Sequence, residues 1–311
     1  MVVLEKRFWP EGHLLDTEEN RARCATLGSL DAARAQETVV EGMALMCDPS
    51  HALSVKLGNF TGIIPREEGA IGVAEGTTRD IALLSRVGKP VCAVVTAVGG
   101  DGTLTLSRRR AQEKARDHLM AHARPGDILP ATVTHMESFG AFVDVGCGLP
   151  SMLGIETLSV SRIPHPDQRF SLDQKICAVV TGLDPDLGRI YLTHKELLGT
   201  WVENAALFAP GMTVPGIVRG IKEYGIFVEL TPNLSGLAEL RDDLKEGDRV
   251  SVYLKSILPE RMKIKLLVIG KLPPEPAPAP LRYYQTEGHM NRWEYAPRGC
   301  GKVGAVTVFA D

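Results

Sequence analysis

PGDILPATVTHMESFGAFVDV, residues 125–145, decides how this chain folds. It reads as a strand, a tight turn and a second strand. Ile128, Ala131 and Val133, then Phe139, Ala141, Val143 and Val145, keep the period-2 spacing of a half-buried sheet. Gly140 sits between two aromatics, where a strand glycine marks a bulge or a close approach by another backbone or ligand. The pattern returns at residues 210–230, PGMTVPGIVRGIKEYGIFVEL. Pro125 and Pro210, Gly126 and Gly211, Pro130 and Pro215, Val133 and Val218, Gly140 and Gly225, Phe142 and Phe227 all match at a spacing of 85. Tyr224 stands for Phe139. This is an internal repeat, and it divides the 311 residues into small units rather than one large core.

The first of these copies continues through strands at 150–156, 175–184 and 188–193, with a loop and one helical turn at 158–170. The second closes with strands at 248–257 and 261–269. Five strands in about 70 residues, with an insert after the third, predict a small closed barrel of OB type. Residues 38–108 lie on the same repeat after a one-residue adjustment, but His51 and Ser54 fall where Phe139 and Phe142 stand. The sheet pattern survives there and the aromatic pair does not. The expected fold is therefore mainly β: three tandem five-stranded OB barrels at 38–108, 125–195 and 210–269, the first degenerate. Residues 1–37 form a helical leader, with Asp16 or Thr17 as an N-cap. Residues 109–124 form a basic helical connector and 196–209 a second connector. Residues 270–311 hold a proline-rich spacer, PPEPAPAP (273–280), and a tail.

Composition removes several classes of function. No apolar run approaches the roughly 18 residues of a membrane helix, and the N-terminus lacks the layout of a signal peptide. Six cysteines without CxxC spacing suit free thiols in a cytoplasmic protein. A net charge of −3 gives no bulk field for nucleic acid, so such a function must rest on local features. His118 and His122 lie four apart on the connector helix without a third ligand, so no metal or other cofactor is expected. No nucleophile, base or paired carboxylates form a catalytic set, and no enzyme is expected. The arginines of 108–124 read as a solvated face or as a phosphate-facing patch between barrels.

Phe139-Gly-Ala-Phe142 and Tyr224-Gly-Ile-Phe227 carry the chemistry. Two aromatics three apart with a glycine between them reach one barrel face if the glycine bends the strand. Bases of single-stranded nucleic acid stack on such a face without regard to sequence. Arg189 and Tyr191 stand nearby on the last strand of the 125–195 copy. Lys263 and Lys265 occupy the corresponding strand of the 210–269 copy, with Arg219, Lys222 and Lys255 on adjoining strands. Each aromatic is expected to be partly exposed, with Phe142 and Phe227 the safer contacts.

FGAFVDVG, followed by MLGIETLS, resembles the S1 type of OB domain, whose pattern runs roughly FGAFV-D-L-G…GLVHIS. RIPHPDQRF and the D-x₃-GRI-x-L-T of residues 184–193 resemble that family's later stretches. The resemblance covers 125–269 well and 38–108 weakly. It implies binding of single-stranded RNA, with tandem copies typical of ribosomal protein S1 and its relatives in bacterial translation. By position it assigns RNA contact to Phe139, Phe142, Asp184 and Arg189, and to Tyr224, Phe227 and Lys263. The family's strand-three histidine is replaced by Gly154 and Glu239, and Leu258 stands near the place of the aspartate in the later copy. Residues 125–195 carry 5 Lys and Arg against 8 Asp and Glu, and residues 210–269 carry 9 against 8. Each site is expected to be weak, with linked copies compensating. The rival expectation is a module that docks on the ribosome or on another protein.

Overall fold

Two short helices open the chain in the computed structural model, which describes residues 8–275, 277–301 and 304–309. The first seven residues of the leader, Pro276 of the spacer, and residues 302, 303, 310 and 311 of the tail lie outside the described residues. Helix α1 (Glu18–Arg23) starts at Thr17, whose hydroxyl accepts from the Asn20 N–H, and α2 (Leu27–Ala35) starts at a capping box between Thr26 and Ser29. Barrel one follows as β1 (Val39–Cys47), β2 (Leu53–Leu57), β3 (Phe60–Ile64), β4 (Pro90–Val98) and β5 (Leu104–Ser107), with α3 (Ile81–Leu84) between β3 and β4. Helix α4 (Arg108–His122) leads to barrel two, formed by β6 (Ile128–Glu137), β7 (Gly140–Asp144), β8 (Pro150–Gly154), β9 (Lys175–Asp184) and β10 (Arg189–Thr193). After α5 (Trp201–Ala205) comes barrel three, with β11 (Thr213–Lys222), β12 (Gly225–Thr231), β13 (Leu234–Ala238), β14 (Arg249–Leu258) and β15 (Lys263–Lys271). The tail adds a small hairpin, β16 (Arg292–Glu294) and β17 (Val306–Val308).

All three barrels close in the same order, first strand to second, third, fifth and fourth, with the fourth returning to the first. The third and fifth strands pair in parallel in each. This is the OB arrangement that the repeat predicts. Each barrel is filled by its own aliphatic core. Val40, Leu53, Val55 and Leu106 belong to the first, Val133, Val143, Leu153 and Val180 to the second, and Val218, Ile226, Val252 and Leu254 to the third. Every such side chain contributes about 1.5–3 kcal/mol relative to exposure. Gly225 has φ +146, and a Cβ there would come within 2.5 Å of the Ala238 carbonyl oxygen. At Gly140 a Cβ would meet the Leu153 oxygen at 2.4 Å. The glycine between the aromatics lets the neighbouring strand close in.

Buried ion pairs lock the barrels together. Between barrels one and two, Arg108 donates from Nε to Glu11 Oε1 at 2.6 Å, and the Glu11 N–H donates to Asp144 Oδ2 at 2.6 Å. Arg109 is held by Glu68 and Glu113, and Lys114 by Glu37. The phosphate-facing reading of this helix is thereby corrected: much of its positive charge is spent on neighbouring carboxylates. Between barrels two and three, Arg169 and Arg219 both donate to Glu229 Oε2, at 2.6 and 2.9 Å. The tail also grips both barrels. Trp293 and Tyr295 enter the core of barrel three, and the Tyr295 hydroxyl donates to the Asn233 carbonyl at 2.6 Å. On barrel two, buried His194 meets the Leu158 carbonyl through Nδ1 at 2.8 Å and the Tyr283 hydroxyl through Nε2 at 3.0 Å. Burial lowers the His194 pKa from its ordinary 6.5 to about 4, so the imidazole is neutral.

Candidate nucleic-acid interface

One bulge sets the site in every barrel. The register of the first strand slips between Ala44 and Met46, between Val133 and His135, and between Val218 and Gly220. A bulge of this kind turns the strand and re-aims the next side chain. Beyond it, a row of side chains crosses the barrel in register. In barrel two the row is His135, Phe142, Met152, Tyr191 and Gly182. In barrel three it is Gly220, Phe227, Leu237, Lys265 and Ser256. In barrel one it is Met46, Ser54, Ile63, Thr105 and Ala97.

The aromatic pairs have the same geometry in barrels two and three. Phe139 meets Phe142 edge-on at 6.1 Å and 86°, and Tyr224 meets Phe227 at 6.0 Å and 87°. Phe139 is 54% exposed and Tyr224 70%, while Phe142 and Phe227 are half-buried. None of the four is core. Phe139 and Tyr224 are the more exposed member of each pair because they stand at the hairpin turn, whereas Phe142 and Phe227 lie flanked by strands on both sides.

The charged candidates divide by barrel. Arg189 and Asp184 face one another in register at the β9–β10 hairpin, where Asp184 Oδ1 accepts from the Leu187 N–H at 3.0 Å and shapes the turn. Tyr191 is 48% exposed, one row on from Arg189. Lys263 takes the place of Arg189 in barrel three, opposite Leu258. Lys222, Lys263 and Lys265 are exposed. Lys255 is tied to Glu239 at 2.9 Å, and that bond holds the Glu239 carboxyl below its usual range. Arg219 needs correction. Its side chain is 7% exposed and sealed against Glu229 in the joint between barrels, so it has no free donor face for RNA.

Residue reading by alternation missed three groups on barrel two. His135 stacks on Phe142 with ring centres 5.9 Å apart and 29° between planes. The bulge hides it, since Val133 points inward and a regular strand would send His135 the same way. Glu137 accepts from His135 Nε2 at 2.7 Å. Glu156 folds its carboxylate over Gly154, where the S1 pattern has histidine.

Barrel one has another surface. Leu45, Met46 and Ile63 are exposed on or beside its row, and Ile81, Leu84 and Val87 in the β3–β4 connection are exposed too. His51, at the position of Phe139, pairs with Asp80.

Part of the chain is similar to known proteins. Residues 122–195 match the S1 RNA binding domain. The small ribosomal subunit protein bS1 of Leuconostoc lactis is 29% identical over 231 residues, covering 69% of this chain and 52% of that protein. The bS1 protein of Chlamydia muridarum is 28% identical over 229 residues, covering 68% of this chain and 40% of its own length. The chain thus spans about half the length of the curated relatives it matches. Among solved structures, a multidomain protein with nucleic acid binding domains from Streptococcus pneumoniae aligns over 75% of this chain and 73% of its own, at 15% identity and a TM-score of 0.26. Barrel two is an S1-type OB domain, and the chain that carries it is similar to ribosomal protein bS1.

Proposed function

We propose that this protein is a non-catalytic binder of single-stranded RNA, mRNA in particular, acting in or beside translation through the faces of barrels two and three. One observation carries the reading: two edge-on aromatic pairs at equivalent positions on separate barrels, each with one exposed and one half-buried ring. Exposed aromatics on a rigid sheet supply base stacking of about 1–3 kcal/mol each. Phe139, Phe142, Tyr191, Tyr224 and Phe227 are the stacking surface. Arg189, Lys222, Lys263 and Lys265 neutralise phosphate, Asp184 shapes the strand end that presents Arg189, and Lys255 contributes less because Glu239 holds it. The S1 match and the similarity to bS1 support the same substrate class. Binding of an unstructured, mixed-sequence RNA should weaken steeply with salt, as counterions return to the phosphates. Binding that ignores salt, or none at all, removes this reading.

A second reading belongs to barrel one alone. Its row replaces aromatics with exposed Met46 and Ile63, flanked by Leu45 and Ile81. That surface suits a protein partner, on the ribosome or elsewhere, better than a phosphate chain. Charge substitution at Met46 and Ile63 should leave RNA affinity unchanged and abolish ribosome co-sedimentation. Loss of RNA affinity instead would place barrel one on the RNA path.

A further inference from the structure

Beside the stacking row of barrel two runs a second row, Glu137, Gly140 and Gly154, in register across β6, β7 and β8. It has no side chain in its middle. A Cβ on Gly140 would strike the Leu153 carbonyl oxygen, and the place of a Gly154 side chain is taken by the Glu156 carboxylate, with Oε1 2.5 Å from that Cβ position. The row therefore carries no side chain of its own between Glu137 and the Glu156 carboxylate, and Gly140 in its middle is buried. His135 holds the first of these carboxylates: its Nε2 lies 2.7 Å from Glu137 Oε1 while its ring rests on Phe142. Glu137 remains 49% exposed.

Two carboxylates beside a stacking platform repel phosphate, so their use for a nucleic acid lies at the base edge. A carboxylate only accepts hydrogen bonds. Guanine offers it two adjacent donors on the Watson–Crick edge, N1–H and the 2-amino group, which match its two oxygens. Uracil sets two carbonyl oxygens beside a single N–H and is disfavoured. We propose that barrel two selects guanine stacked on Phe142, with Glu137 reading the base edge and His135 as the positioning residue. This rests on the reading of the face as an RNA site. The selection belongs to barrel two, because Lys222 faces Gly225 in barrel three as Glu137 faces Gly140.

The test uses the full chain and short oligouridine strands whose central residue is uridine, guanosine or inosine. One guanosine should tighten binding about tenfold, the scale of a good bidentate base contact. Inosine, which lacks the 2-amino group, should lose most of that gain. Glu137→Gln should erase the guanosine preference without weakening the all-uridine strand. His135→Phe, which keeps a ring beside Phe142 and removes the bond to Glu137, should lower the ratio of guanosine to uridine affinity. Equal wild-type affinity for guanosine and uridine strands overturns the inference while leaving RNA binding intact. So does a Glu137→Gln variant that tightens both strands alike, since the carboxylate would then merely repel. Absence of binding to every strand removes the RNA reading itself.

Discussion

Barrels two and three hold their aromatic pairs within 0.1 Å and 1° of the same geometry, 6.1 Å and 86° against 6.0 Å and 87°, yet surround them with opposite charge. Barrel two carries Glu137, Glu156 and Asp184 on the strands and turns of this face, with Arg189 as the cation of the hairpin. Around Phe227 stand Lys222, Lys263 and Lys265, while Glu239 is neutralised by Lys255. Backbone constraint explains what is shared: the bulge and the glycine fix where the rings can go. Charge at exposed positions is free of that constraint, so it separates the barrels. Stacking should be common to both, and most of the salt-dependent part of binding should belong to barrel three, with Arg189 the smaller share from barrel two.

The largest effect expected is joint loss of the four rings. Replacing Phe139, Phe142, Tyr224 and Phe227 by Ala should abolish measurable RNA binding, since each ring is worth about 1–3 kcal/mol of affinity. Thermal unfolding of the Phe139→Ala and Tyr224→Ala variants should scarcely change. Phe170→Ala is the control, because truncating a buried phenylalanine costs roughly 3–5 kcal/mol of stability. If Phe139→Ala unfolds like Phe170→Ala, the exposed-platform account is wrong.

Acid should next separate how the tail grips the two barrels. His194, on barrel two, has its pKa lowered from 6.5 to about 4 by burial. A depressed histidine leaves stability intact above pH 6.5 and withdraws it as pH falls toward 4, by at most about 3 kcal/mol. His13 has the same sign, whereas Asp144, raised to about 7 by burial, has the opposite one. The measurement is therefore the difference in unfolding free energy between pH 7 and pH 5 for wild type and His194→Gln. The variant should show the shallower acid loss; identical slopes would mean that His194 does not couple to folding. The grip on barrel three uses Trp293 and Tyr295 and should not respond over this range.

A smaller effect sharpens the charge contrast. Replacing Lys222, Lys263 and Lys265 together by Gln should flatten the log–log salt dependence by about 2, at about 0.7 per phosphate on a single strand. Phe139→Ala should weaken binding and leave that slope alone. An unchanged slope in the lysine variant would end the division of labour. Smallest of all, Glu239→Gln should free Lys255 and slightly tighten RNA binding, as read by the same titration.

The barrels were legible because their signals are local. Alternation, turn prolines and the glycine between aromatics all act within one hairpin, and a repeat doubles the evidence. Tertiary partners were not legible. Arg219 looks like any surface cation until Glu229 and Arg169 close over it. Glu11 gives no local sign of its bond to Arg108, 97 residues away. Trp293 and Tyr295 sit in a tail whose pattern suggests no core, because the core they join belongs to β-strands far upstream. His135 was hidden by a single extra residue in the strand, which shifts the parity on which alternation depends.

The sealed joint of Arg169, Glu229 and Arg219, together with a tail that grips both barrels, has a consequence for any strand that touches both faces. Two domains on a slack tether would search for their ligand independently, and affinity would climb smoothly as the ligand lengthened. Two faces bolted to one frame act as a caliper. A strand too short to reach from one to the other gains nothing from the second, and one that just reaches gains it all in a single step. The step marks the distance between the jaws, counted in nucleotides.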